Sequence, residues 1–214
     1  MGWEQLRERF AWPAARPATR PLVHGWTTEA AQWSLLMERI PPDGIVLEVG
    51  AWTGKSSLHV LLGWPRARLI AVDIWTESPV ALGGYWPTWR SQGQLAAADT
   101  PKSLYQANLW ECRERVVLVQ ADSAAGMLAV WATCVAPDLV YVDADHGEGA
   151  AYRDIALAVE LFPDAVISGH DYTTDAGGAD NGVSRAVRRA QPAGFCARGM
   201  GKVWWYEREA PPCA

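Results

Sequence analysis

The chain predicts an α/β protein with a mostly parallel sheet and helices on both faces. Three observations carry that prediction. Short apolar runs alternate with helix-patterned segments along the chain, a glycine-bearing turn joins the first run to the helix after it, and acidic residues recur where successive runs end.

The elements follow in order. Residues 11–24 are punctuated by Pro13, Pro17 and Pro21, so 1–24 read as an N-terminal arm and 25–214 as one domain. "TTEAAQWSLLMERI" predicts a helix, with Thr27 or Thr28 as N-cap, one apolar face through Trp33, Leu36, Met37 and Ile40, and a stop at Pro41 and Pro42. "IVLEVG" is a buried strand, and Lys55 opens a helix that ends near Gly63. "ARLIAVD" is a second strand, ending at Asp73. The segment 76–100, rich in Gly, Pro and Trp, is too long for an ordinary connection and reads as a lid-like insertion. "KSLYQANLWECR" is helical, "RVVLVQAD" a third strand, "SAAGMLAVWATC" a helix and "PDLVYVDADH" a fourth strand. "GEGAAYRDIALAVELF" is an amphipathic helix, "DAVISGHDY" a fifth strand and "GVSRAVRRA" a helix, with two strand candidates near 194–199 and 202–207.

Composition narrows the function. A chain of 214 residues, half of them hydrophobic and a fifth charged, fits one ordinary globular domain. A net charge of -5 argues against a general nucleic-acid binder and leaves room only for a local basic patch; the arginines of "RAVRR", the nearest thing to one, would spread round a solvated helix face. Thirteen tryptophans are too many for the core alone, so some are expected to line a pocket. Cys112, Cys134, Cys196 and Cys213 have no metal spacing and read as reduced thiols. Glu4 and Glu8 interrupt any secretory signal and no stretch has the length to span a bilayer, so a soluble, cytoplasmic protein is expected.

The turn "VGAWTGKSS" decides between ligands. A phosphate-binding P-loop needs four residues between its glycines, whereas Gly50 and Gly54 enclose only three. The dinucleotide fingerprint needs a second glycine where Trp52 stands. Acids at Glu48, Asp73, Asp122 and Asp143 instead describe an adenosine site without phosphate, since ligands of open α/β sheets bind beyond the carboxyl ends of the strands. Asp73, a little over twenty residues past Gly50, is placed to accept hydrogen bonds from two ribose hydroxyls.

"VLEVGAWTGKSS", "VDIW", "QADS" and "DLVYVDADHGEGAAYRDI" followed by "ISGHDY", in that order, resemble the motifs of class I S-adenosylmethionine-dependent methyltransferases, the catechol-type and related small-molecule O-methyltransferases in particular. The resemblance covers roughly residues 30–190 and implies a Rossmann-like fold with a seven-stranded sheet. Carried over, Gly50 and its neighbours would approach the methionine part of S-adenosylmethionine, with Trp52 and Ser56 lining that end. Glu48 would hold the turn, or the cofactor's amino group through water. Asp73 would take the ribose, Ile74 and Trp75 the adenine face, and Asp122 and Ser123 the adenine edge.

Asp143, counted with the cofactor site, would also ligate a divalent cation, Mg²⁺ or Mn²⁺, together with His170 and Asp171. An imidazole ligand suits Mn²⁺, Fe²⁺ or Zn²⁺ better than Mg²⁺. Asp145, three residues before Glu148, reads as an N-cap in preference to a ligand. His146 occupies the position of the catalytic base. The implied reaction is methylation of a hydroxyl on a small molecule, phenol-like or sugar-like, with Tyr85, Trp86 and Trp89 of the insertion as candidate acceptor contacts. A homo-oligomer stays open. Two rivals remain at this point: a nicotinamide-dependent oxidoreductase, against which Trp52 argues, and a non-catalytic cofactor-binding protein on the same fold.

Overall fold

The computed structural model describes residues 2–24, 30–76, 85–173 and 181–209. Five parallel strands form its centre: β1 (Ile45–Val49), β2 (Arg68–Asp73), β3 (Val116–Gln120), β4 (Leu139–Val142) and β5 (Val166–Gly169). Two further strands, β6 (Phe195–Met200) and β7 (Val203–Arg208), complete a seven-stranded sheet in the order β3-β2-β1-β4-β5-β7-β6, with β7 antiparallel to both its neighbours. The predicted fold class is therefore the observed one.

Register places the site. Val49 lies opposite Val72 of β2 and Val142 of β4, so Gly50, Asp73 and Asp143 emerge side by side at one edge. The chain runs outward from β1 in both directions here, which makes this edge the switch point where such sheets open a crevice. The strands are apolar on both faces because helices cover both. Leu47, Val49, Ile70, Val72 and Val140 face one core cluster; Val46, Leu69, Ala71 and Tyr141 face the other.

The helices are α1 (Trp3–Arg9), α2 (Ala30–Met37), α3 (Lys55–Gly63), α4 (Tyr85–Ser91), α5 (Pro101–Leu109), α6 (Ser123–Trp131), α7 (Glu148–Leu161) and α8 (Gly182–Ala190). The N-cap expected at Thr27 or Thr28 falls outside the described residues. Two other expectations change. Asp145 is not the N-cap of α7: Gly147 is, and Asp145 Oδ1 instead accepts the Gly147 N–H at 2.7 Å. The arm holds a helix, α1, which the sequence reading passed over because a seven-residue helix burying only Leu6 leaves almost no periodic signal.

The arm is bonded to the domain along its length. Trp12 Nε1–H donates to Val116 O (2.8 Å) and the Thr19 hydroxyl to Asp99 (2.8 Å). Asn108 accepts the Leu22 N–H at 2.8 Å and donates back to the Leu22 carbonyl at 3.0 Å. The insertion is described from residue 85 onward, and there it is a packed flap: Trp86 and Trp89 are buried with Leu95 and Leu104, not displayed as an open platform. Residues 77–84 and the Tyr85 side chain lie outside the described residues.

Candidate active site

Three residues in the glycine turn have left-handed backbone: Gly50 (φ 94°), Trp52 (φ 43°) and Gly54 (φ 84°). Gly50 is required by contact as well as by dihedral. A Cβ there would stand 2.1 Å from the Asp143 carbonyl oxygen, a rigid neighbour across the β1–β4 junction. Non-glycine residues resist this backbone, so Trp52 needs support. Asp73 gives it: Oδ2 accepts the Trp52 N–H at 2.8 Å, Oδ1 the Trp75 N–H at 2.6 Å, and Ala51 N–H adds a third bond. Burial raises the Asp73 pKa, and these backbone donors act against that rise. Each oxygen keeps lone-pair capacity for a ligand hydroxyl.

Glu48 supports the turn from behind. It is 1% exposed and does not reach the cleft; both Ser56 and Ser57 hydroxyls at the start of α3 donate to its carboxylate, and Tyr105 Oη–H donates to Ser57 at 2.9 Å. Of the two roles open to Glu48, this geometry is that of a turn holder. Burial pushes its pKa up to about 7 against the two serine bonds, with the charges of Asp143 and Asp73 adding to the rise.

The turn and the strand ends line one open cleft of about 1590 Å³. Gly50, Trp52, Ser56, Asp73, Ile74, Asp122, Ser123, Asp143, His146, His170 and Asp171 all border it. Trp75, expected against an adenine, is 4% exposed and lies in the core against Tyr105, its Nε1–H donating to the Trp52 carbonyl at 2.9 Å. It is a support of the turn, and Ile74, 53% exposed, is the residue of that pair facing the cleft. Asp122 caps α6 through the Ala125 N–H at 2.9 Å, and the Ser123 hydroxyl bonds the buried Asp154.

At the ends of β4 and β5 a second group converges. One ligand atom each from Asp143, His146 and Asp171 lie within 4.8 Å of one another, so the group placed to hold a cation takes His146 where the sequence placed His170. His146 Nε2 is 3.1 Å from Asp171 Oδ2 and 3.7 Å from Asp143 Oδ1; His170 Nδ1 is 3.4 and 3.8 Å from the same two oxygens. His146 is 62% exposed at the mouth, whereas His170 is 10% exposed beneath. Asp171 holds a left-handed backbone (φ 56°), with Asn181, the N-cap of α8, donating to its carbonyl at 2.6 Å. His170, followed by the charges of His146 and Lys202, holds the Asp171 carboxyl below the usual carboxylate range. Asp143, with Asp171 adding, raises the proton affinity of His146 above that of a free imidazole.

The sequence reading missed several cleft residues. Lys55 stood inside the quoted turn and was passed over as a helix-starting residue. Lys202, in the β6–β7 hairpin, pairs with Asp171 at 3.4 Å, and His24 reaches the cleft from the proline-rich arm; neither lies in a motif. Among the described residues no helix is long and apolar enough to cross a membrane.

Comparison with known proteins matches the fold. The chain superposes on the O-methyltransferase of Bacillus cereus solved with S-adenosylhomocysteine, at a TM-score of 0.59 and 16% identity over 96% of this chain and 90% of that one. A candidate O-methyltransferase of Klebsiella pneumoniae gives 0.57 and 16% over 96% and 87%. Fibrillarin, in its complex with Nop5p, gives 0.50 and 15% over 78% and 72%. Proteins of different kinds thus share the fold, and the fold alone selects no acceptor. No curated protein sequence matches the chain. The family model described as a methyltransferase domain matches residues 47–172, from β1 through the residues that follow β5. That span contains the glycine turn, Asp73, Asp122, Asp143, His146, His170 and Asp171, and on it the chain belongs to the methyltransferase-domain family, with the class I fold that its motifs resemble.

Proposed function

We propose that this methyltransferase uses S-adenosylmethionine to methylate a hydroxyl group of a small molecule, with a divalent cation assisting. One observation carries the reading: Asp143, His146, His170 and Asp171 converge at the ends of β4 and β5, in the same cleft that Asp73 and the glycine turn border. An oxygen acceptor needs its proton removed before it can attack, and this group contains both a base and a ligand set. A cleft of about 1590 Å³ exceeds the ~300–1,000 Å³ of a single small-ligand pocket and suits a cofactor beside its acceptor.

The cleft fits the cofactor. Asp73 retains acceptor capacity for the ribose, Ile74 offers an apolar face to the base, and Trp52 stands where a dinucleotide turn needs glycine. When bound, the cofactor supplies a methyl group on a sulfonium sulfur. The donor set also fits a cation: Asp143, His170 and Asp171 offer two carboxylates and an imidazole, a mixture suited to Mn²⁺, Fe²⁺ or Zn²⁺ above Mg²⁺. A cation there would lower the pKa of an acceptor hydroxyl.

The remaining roles belong to side chains. His146 accepts the acceptor proton at Nδ1, since Nε2 lies 3.1 Å from Asp171 Oδ2 and donates to it, and Asp143 and Asp171 stabilise the imidazolium that forms. Its exposure at the mouth leaves it free to meet the acceptor, while His170 is held below as a ligand. The turn and the strand ends fix both reactants in one geometry, and alignment of this kind is worth effective molarities of roughly 10⁵ M or more.

Thermal melting tests the reading. S-adenosylhomocysteine at a hundred times its dissociation constant adds about 2.7 kcal/mol, a rise of roughly 5–10 °C for a chain of this size. NAD and ATP are expected to add nothing, and a rise with NAD alone overturns the proposal. With Mn²⁺ and S-adenosylmethionine, hydroxyl-bearing phenols or sugars should release S-adenosylhomocysteine and their O-methyl ethers should not; equal release refutes oxygen as the acceptor.

A further inference from the structure

A buried indole normally finds an acceptor for its N–H, as Trp12 and Trp75 do on the carbonyls of Val116 and Trp52. Trp204 on β7 departs from that rule. It is 0% exposed, and among the described residues its Nε1 has no hydrogen-bond partner. Trp33, Trp86 and Trp205 share that state, but they border neither the cleft nor a second, small cavity next to it. Trp204 does border that second cavity.

The cavity measures about 10 Å³ and lies between the core and the loop that follows β4. Trp204, His170 and residues 143–146 form its wall, together with the apolar Ile155 and Val183. The indole is held at this place from two sides. Gly169 pairs with Trp204 across β5 and β7, and a Cβ there would stand 2.9 Å from Trp204 Nε1 and 2.3 Å from the Val142 carbonyl oxygen, so only glycine admits the ring. Tyr206 packs against the same ring at 5.2 Å, with its own hydroxyl donating to the Val187 carbonyl at 2.5 Å. The loop opposite is as short of protein partners as the indole. Among the described residues the backbone of Ala144, Asp145 and His146 makes no hydrogen bond.

We propose that this cavity is a binding site for one water molecule, through which Trp204 positions the loop that carries Asp143 and His146. The volume is that of a single water, for which ~10–15 Å³ suffices, and a polar wall distinguishes a wet cavity from a dry one. An indole N–H only donates, which suits a water oxygen and repels a cation. The water's own hydrogens then reach acceptors on the loop, so two groups too far apart to bond directly are joined. Trp204 lies outside residues 47–172, and it is a positioning residue: it acts on the cleft through the loop, not by touching a ligand. For its effect on cation binding the inference rests on the reading of Asp143 above.

A crystal structure of the ligand-free wild type tests the site directly. It should show an ordered oxygen within about 3.2 Å of Trp204 Nε1 and of a backbone atom in residues 143–146. No such oxygen, or an indole bonded straight to a protein acceptor, overturns the proposal. Trp204→Phe keeps a ring and removes the donor. Amide hydrogen exchange at residues 143–147 should then speed up several-fold, with β5 and β7 unchanged. Calorimetric Mn²⁺ affinity should fall several-fold and S-adenosylhomocysteine affinity should hold. Faster exchange spread equally through β5 and β7, or Mn²⁺ affinity equal to the wild type, makes Trp204 a packing residue only and overturns its positioning role. A wild type that binds the water but no Mn²⁺ overturns the cation reading and leaves the water site standing.

Discussion

Replacing Glu48 with glutamine is expected to stabilise the protein at alkaline pH and to matter little in acid. The carboxylate is 1% exposed on β1, it accepts bonds only from neutral serine hydroxyls, and the charges of Asp143 and Asp73 oppose its ionisation. Its pKa accordingly rises from an ordinary 4.5 to about 7. Across that window the folded chain retains a proton that the unfolded chain has released, so stability falls as pH climbs through it. At about 1.4 kcal/mol per pH unit, the interval from 4.5 to about 7 sets the full loss near 3 kcal/mol, reached above pH 8 and below about 1 kcal/mol at pH 5. Glutamine keeps the shape and can receive the Ser57 hydroxyl while donating to Ser56, so it preserves the network without the charge. Urea denaturation of both proteins from pH 5 to pH 8.5 provides the assay, with the difference between them as the readout. Asp154, which also has a raised pKa, occurs in both chains and cancels. A difference that stays flat with pH, or a variant that loses ground as pH rises, refutes the argument.

Two further outcomes follow from the strand-end cluster. In the wild type kcat/KM should rise with pH through the His146 ionisation; His146→Gln should lower kcat by roughly 10²–10⁴ and abolish that limb with S-adenosylhomocysteine affinity unchanged. A retained limb removes His146 as the base. Titration with Mn²⁺ should show weaker binding for Asp171→Asn and His170→Ala, and affinity within a few-fold of wild type for His146→Ala. The reverse order for the two histidines would make His146 the ligand.

The parts of the fold that could be read from sequence are those set by local rules. β1, β2, β3 and β4 are short runs dominated by Val, Leu and Ile and buried on both faces, and the glycine turn after β1 announces its own left-handed residues. Acids placed one residue before or after a strand end land beside one another because parallel register leaves little choice. What sequence could not supply was which of two neighbouring tryptophans faces the cleft. Trp52 and Trp75 both have positive φ, and Asp73 accepts the N–H of each. Trp75 turns inward because its indole N–H finds the Trp52 carbonyl, a bond across 23 positions that no local pattern encodes.

The same reasoning explains the residues that went unread. His24 depends on Thr53, 29 positions away, Leu22 on Asn108 across 86, and Lys202 on Asp171 across 31. His24 and Lys202 border the cleft, each held by a long-range bond from a segment whose own composition reads as arm or hairpin, and the Leu22–Asn108 pair anchors the arm beside His24. The acids that were read carry a double load in consequence. Asp73 was chosen for a ribose, yet both its oxygens already hold the backbone of a turn containing a strained tryptophan; Glu48 was chosen for the same corner, yet it secures the start of α3. Loss of either would therefore disturb the turn before it disturbed any ligand, so Asp73→Ala is expected to lower the melting temperature of the ligand-free protein as well as to weaken S-adenosylhomocysteine.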